Sequence, residues 1–138
     1  MAEALVLDCE ALNVLARSGD RGVNADRARA VLATAHERRA LVRVPAAVLA
    51  EVYRGPRYDA AIDRLLNGKG LLVVPLTQDI ARVAGHLLAK AKLRSDHAVD
   101  AFVVATAMAF DAALIATGDP KDITRLVGNH SHVKVFSI

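Results

Sequence analysis

Four carboxylates stand where packing alone gives no reason for them. Asp8 ends the apolar run Ala4 to Leu7, and Asp119 follows the run Ala112 to Ala116 across Thr117-Gly118. Glu51 interrupts the largely apolar stretch Ala46 to Tyr53, and Asp100 lies one helical turn beyond Asp96, so these two are expected on one helix face. In an open parallel sheet the ligand crevice lies outside the carboxyl ends of the strands, which would send Asp8 and Asp119 to the same place. Carboxylates that converge repel one another and raise some of their pKa values until a cation neutralises them. An all-oxygen donor set is hard, so Mg²⁺ is expected, with Mn²⁺ able to substitute. His36, His86, His97, His130 and His132 are scattered without zinc spacing beside the single Cys9. A divalent ion on such a site suits hydrolysis of a phosphodiester by activated water.

The elements that must carry these acids can be read from hydropathy. Ala4 to Leu7, Leu41 to Val44, Leu71 to Val74, Ala112 to Ala116 and Val133 to Ile138 are short apolar runs expected to be strands. Helices are expected over Glu10 to Ala16, from an Asn24 cap to the cluster His36 to Arg39, over Ala46 to Tyr53 with Pro45 in its first turn, and over Tyr58 to Leu66. A Thr77 cap should open a helix with the stripe Ile80, Val83, Ala84, Leu87, Leu88 and Ala91. Ser95 or Asp96 should cap one running to Phe110, and Pro120 should open a last short one. The alternation describes an α/β fold: a three-layer α/β/α sandwich with a mainly parallel central sheet, in one domain over residues 1–138.

Composition sets the remaining bounds. The chain of 138 residues is 54% hydrophobic with 4% aromatics and no Trp, enough for a core without disulfides, and rich enough in apolar surface to expect a copy of itself or a partner. A net charge of +3 and a pI near 9.4 are compatible with an anionic partner but identify none. One cysteine, no membrane-length apolar run and no signal-peptide pattern point to a reducing cytoplasm and no membrane.

Four fragments carry a resemblance. Val6-Leu7-Asp8, then Val44-Pro45-Ala46-Ala47-Val48-Leu49-Ala50-Glu51 with Arg54-Gly55, then Val99-Asp100-Ala101-Phe102-Val103, and finally Ala116-Thr117-Gly118-Asp119-Pro120-Lys121-Asp122-Ile123 resemble, in order and spacing, the acidic motifs of PIN domains, and most closely those of VapC-type toxins. The resemblance implies a PIN-like sandwich and a metal-dependent endoribonuclease acting on RNA. It also implies a homodimer and a cognate VapB-like antitoxin that blocks the site. Carried over residue by residue, Asp8, Glu51, Asp100 and Asp119 form the acidic quartet. Asp8, Asp100 and Asp119 would be metal ligands, and Asp122 a possible outer member. This chain departs from the pattern at Glu10, two places after the first acid, where many members carry a small hydroxyl or amide residue; Glu10 would add a carboxylate near the site.

Plainer roles compete for the same residues. Asp8 and Asp119 can be helix caps, Asp96 the cap of the helix that bears Asp100, Asp122 a first-turn acid, and Glu51 an ordinary exposed one. Arg54 and Arg57 after Glu51, and Lys92 and Arg94 ahead of Asp96, could line an RNA backbone or simply face solvent. Cys9 is expected to be a packing residue, and His130 and His132 part of a turn. Two other functions keep the same fold: a noncatalytic RNA-binding or scaffold module, and a phosphohydrolase with Asp8 as nucleophile.

Overall fold

The computed structural model describes residues 3–17, 19, 21–68 and 70–138. Its centre is a five-stranded, wholly parallel sheet in the order β3-β2-β1-β4-β5. The strands are β1 (Glu3–Leu7), β2 (Leu41–Pro45), β3 (Leu71–Val74), β4 (Ala112–Thr117) and β5 (Val133–Ser137). Val6, Leu7, Val42, Val44, Ile115 and Ala116 are fully buried, as strands covered on both faces require. Helices α1 (Cys9–Ala16), α2 (Val23–Glu37) and α4 (Pro56–Leu66) cover one face, while α5 (Gln78–Ala91), α6 (Ala98–Met108) and α7 (Pro120–Val127) cover the other. The short α3 (Ala46–Val52) touches both α1 and α6. The expected three-layer α/β/α sandwich is therefore what forms.

Helix α6 explains why the chain is so rich in small apolar residues. Ala101, Val103, Val104, Ala105, Thr106 and Ala107 are all buried, because this helix lies on the sheet with α5 and α7 packed beside it. A helix buried on most sides cannot be amphipathic, and Ala and Val let its neighbours approach closely. Thr106 meets its polar requirement internally by donating its hydroxyl to the Phe102 carbonyl at 2.7 Å.

Several boundaries differ from the sequence expectation. Helix α2 starts at Val23 behind Gly22, whose φ of +149° suits glycine, so Asn24 lies within the first turn and caps nothing. Pro45 is the extended last residue of β2 instead of a first-turn residue, while Pro56 takes that first-turn place in α4, two residues ahead of the expected start. Val83 leaves the α5 stripe for the surface. Thr77 does cap α5, accepting the Ile80 N–H at 3.2 Å. Neither Ser95 nor Asp96 caps α6. Ser95–His97 form a 3₁₀ turn, His97 occupies the cap position without a side-chain cap bond, and α6 begins at Ala98. The tighter turn of three residues breaks the i,i+4 register expected between Asp96 and Asp100, leaving Asp96 exposed and Asp100 half-buried.

Candidate functional site

Strand order decides where the acids meet. From β1 the chain builds outward to β2 and β3, then crosses back to place β4 on the other side of β1, so the crevice between β1 and β4 is the topological switch point. Asp8 lies at the end of β1, and Asp119 lies two residues beyond β4.

Asp8 is 4% exposed and stitches the two strands together. Its N–H donates to the Ala116 carbonyl at 3.2 Å, Oδ1 accepts the Ala11 N–H at 2.9 Å, and Oδ2 accepts the Gly118 N–H at 3.2 Å. It is thus the N-cap of α1 and a member of the crevice at once. Burial pushes its pKa up, while the bonds from Ala11, Thr117, Gly118 and the Glu10 backbone pull the other way.

Asp100 is the most informative group. Its pKa is pushed up to about 6, first by burial, then by the charges of Asp119, Asp8 and Glu51, with His97 acting in the opposite sense. The same field reaches Cys9, whose thiol is pushed up to about 12 by burial and by Asp8, Glu51 and Asp100. Cys9 is therefore a neutral thiol at physiological pH, neither nucleophile nor soft ligand. Acids from β1, α3, α6 and the start of α7 thus share one electrostatic environment.

Three of the four acids also sit at helix N-termini, where the backbone dipole favours negative charge: Asp8 and Asp119 at cap positions and Asp100 in the first turn of α6. Asp119 is exposed and accepts the Asp122 N–H at 3.5 Å, while its own N–H donates to Thr117 Oγ1 at 2.8 Å. Glu51 is exposed near the end of α3. Glu10 is exposed too, but its carboxylate lies directly over Gly118, in space that a side chain at 118 would need. Asp122 is half-buried and faces His97, whose Nδ1 is 3.4 Å from Asp122 Oδ2. Asp96 reaches the group only through the other ring nitrogen of His97, at 3.8 Å.

Two residues escaped the sequence reading. Thr117 is fully buried between the acids, its hydroxyl donating to Asp8 and accepting from the Asp119 N–H. His97 brings a ligating atom within 4.8 Å of Asp100 and Asp122, a three-member group able to hold a metal ion. Its position three residues before Asp100 was the available signal, since i and i+3 are neighbours on a helical surface. The donor set of the crevice fits a hard divalent cation: the acids are crowded enough to lift Asp100, and the single thiol is held protonated.

The flanking cations divide into two groups. Arg54 is pinned, its Nη1 donating to the Ala50 and Tyr53 carbonyls at 2.8 Å each, and Arg57 lies on the first turn of α4. Lys92, the left-handed C-cap of α5, and Arg94 are exposed on the approach to His97. No helix among the described residues is long and apolar enough to cross a membrane.

Comparison with known proteins gives a family match to the PIN domain over residues 5–128. No curated protein matches the sequence significantly. Among solved structures, the chain is similar to VapBC2 of Rickettsia felis bound to a DNA fragment from their promoter, with a TM-score of 0.68, 14% identity and 98% of each chain covered. It is similar to a toxin–antitoxin complex from Klebsiella pneumoniae, with a TM-score of 0.66 and 20% identity over 97% of this chain and 99% of that one. A third similar structure is VapC20 of Mycobacterium tuberculosis, described as a sarcin–ricin-loop-cleaving toxin, with a TM-score of 0.60 and 20% identity over 79% of this chain and 86% of that one. At these identities the structural likeness speaks for the fold.

Proposed function

The chain belongs to the PIN domain family, and from that premise we propose that it is a Mg²⁺-dependent endoribonuclease, the toxin component of a type II toxin–antitoxin module. The observation that carries this reading is that the charges of Asp119, Asp8 and Glu51 all reach Asp100 and, with its burial, push its pKa up to about 6, as expected of carboxylates gathered at one end of the sheet. Such a crevice favours a divalent cation.

Asp8, Asp100 and Asp119 would hold the ion, with Mn²⁺ able to replace Mg²⁺. When bound, the ion lowers the pKa of water and offsets the charge that builds on the phosphate in the transition state. Thr117 fixes Asp8 and the Asp119 backbone relative to each other through one hydroxyl. Glu51, at the rim, accepts a proton from the attacking water and orients it. Glu10 and Asp122 border the site, Glu10 against Gly118 and Asp122 through His97. Arg54, Arg57, Lys92 and Arg94 flank the crevice and contact the RNA backbone.

Residues 1–138 act as one domain in the cytoplasm, as a homodimer. The cognate partner is a VapB-like antitoxin, a reading supported by the toxin–antitoxin complexes among the similar folds. The deciding experiment incubates the purified chain, freed of any partner, with structured and unstructured RNAs in Mg²⁺, Mn²⁺ or EDTA. Cleavage that requires the metal and is abolished by Asp8→Asn and Asp100→Asn is expected. RNA binding without cleavage, indifferent to the four acids, would instead make the chain a noncatalytic module.

A further inference from the structure

Beside the acidic crevice runs a groove of about 540 Å³ between α1 and the start of α4. Glu51, whose charge also reaches Asp100, is one of its walls, and the remaining polar walls are Asn13, Arg17, Arg54, Arg57 and Tyr58. Among its walls the guanidinium groups outnumber the single carboxylate, which favours an anion there. Tyr58 adds something that charge alone does not require: of the five Phe and Tyr residues it is the one that is exposed, at 54%, the others being half-buried. The Arg57 guanidinium carbon stands 6.0 Å from its ring centroid, a cation–π contact that steadies the ring.

The turn beneath Tyr58 is tied down by its own hydrogen bonds. Asp59 Oδ1 accepts the N–H groups of both Arg54 and Gly55, at 3.0 and 3.1 Å, and Gly55 adopts a φ of +114° that the turn between α3 and α4 requires. Tyr53 ties the same turn to α4 by donating its hydroxyl to Asp63 at 2.5 Å. A preorganised aromatic face costs little to engage, and together with a cationic track it has the two parts that single-stranded nucleic acid needs, a stacking surface and phosphate contacts.

We propose that this groove is a subsite for one unpaired nucleotide of an RNA strand, its base stacked on Tyr58 and its flanking phosphates held by Arg17, Arg54 and Arg57, next to the phosphodiester that is cut. The inference rests on the ribonuclease reading and adds a substrate preference to it: a base still paired in a duplex cannot offer its face to Tyr58, so the strand must be single-stranded there.

Because the chain contains no Trp, Tyr58→Trp installs a single, selectively excitable tryptophan at the stacking position. In an Asp100→Asn background, which leaves the RNA uncut, a short single-stranded oligonucleotide should quench its emission saturably, while the same sequence as a duplex and base-free polyphosphate should not. With the active enzyme, Tyr58→Ala should raise KM roughly 10-fold at nearly constant kcat, and Tyr58→Phe should restore it. Emission unchanged at saturating RNA, or equal quenching by polyphosphate, would overturn the stacking subsite. So would a response to polyglutamate and not to RNA, which would assign the groove to an acidic protein segment. If the chain cleaves RNA and Tyr58 proves silent, the subsite fails alone. If RNA quenches the emission but no divalent ion supports cleavage, the catalytic reading fails and the groove remains.

Discussion

Asp100 bears the conflict between stability and function most directly. Its folded-state pKa of about 6 lies above the ordinary 3.8, so the folded protein holds a proton that the unfolded chain has already lost. The resulting stability is full below about pH 4 and is lost as pH rises through 6. Asp100 is partly open to solvent, so the loss is on the order of 1 to 2 kcal/mol once screening is allowed for. Metal-free Asp100→Asn should therefore melt at or above the wild-type temperature at pH 7, and thermal scans between pH 4 and 7 should show a flatter profile. Added Mg²⁺ should raise the melting temperature of the wild type and leave that of the variant unmoved. A metal-free Asp100→Asn that melts well below wild type at pH 7 would mean that the carboxylate is a structural partner. Asp8 differs because it is also a cap. Asp8→Ala should cost about 2 kcal/mol in chemical denaturation through the lost acceptor for Ala11 and Gly118, and Asp8→Asn, which keeps one oxygen, distinctly less, while both abolish cleavage.

Among the elements, the turn from β4 into α7 sets how the carboxylates crowd. Glu10 occupies the space above Gly118, so Gly118→Ala must push that side chain aside. The obstacle is the end of a flexible side chain, so the fold should lose less than about 1 kcal/mol. The displaced carboxylate should nevertheless weaken Mg²⁺ binding, as read by the metal-induced shift in melting temperature. Adding Glu10→Ala to Gly118→Ala should give the same metal response as Glu10→Ala alone. If the two effects simply add, the contact is irrelevant to the site. The 3₁₀ turn ahead of α6 also shapes the site: its larger angular step per residue leaves Asp96 exposed and turns His97 toward Asp122.

For the whole molecule, the unexplained feature is apolar surface. Leu72 on the edge strand β3, Leu76 in the loop that follows and Val83 on α5 are all exposed. Edge strands with apolar side chains are liabilities unless another chain covers them. If the proposed homodimer uses this edge, the combined Leu72→Arg and Leu76→Arg variant should elute as a monomer in multi-angle light scattering with an unchanged circular dichroism spectrum. A dimer that survives both substitutions would place the interface elsewhere.

The strands and most helices were legible because each buries its own periodic pattern, a local property. The polar residue closing an apolar run marked Asp8 and Asp119 for the same reason. The helix starts at Asn24, Pro45 and Asp96 were misread because several residues in each segment could cap or open a turn, and packing chose among them. Sequence alone therefore determined the α/β layering and named the acids. The tertiary structure decided that β4 lies against β1, which joins Asp8 to Gly118 across 110 positions. It also decided that Thr117 bridges two acids, that Glu10 covers Gly118, and that His97 meets Asp122. Contacts of that kind arise from strand order and chain crossing, and no periodicity within a short window carries them.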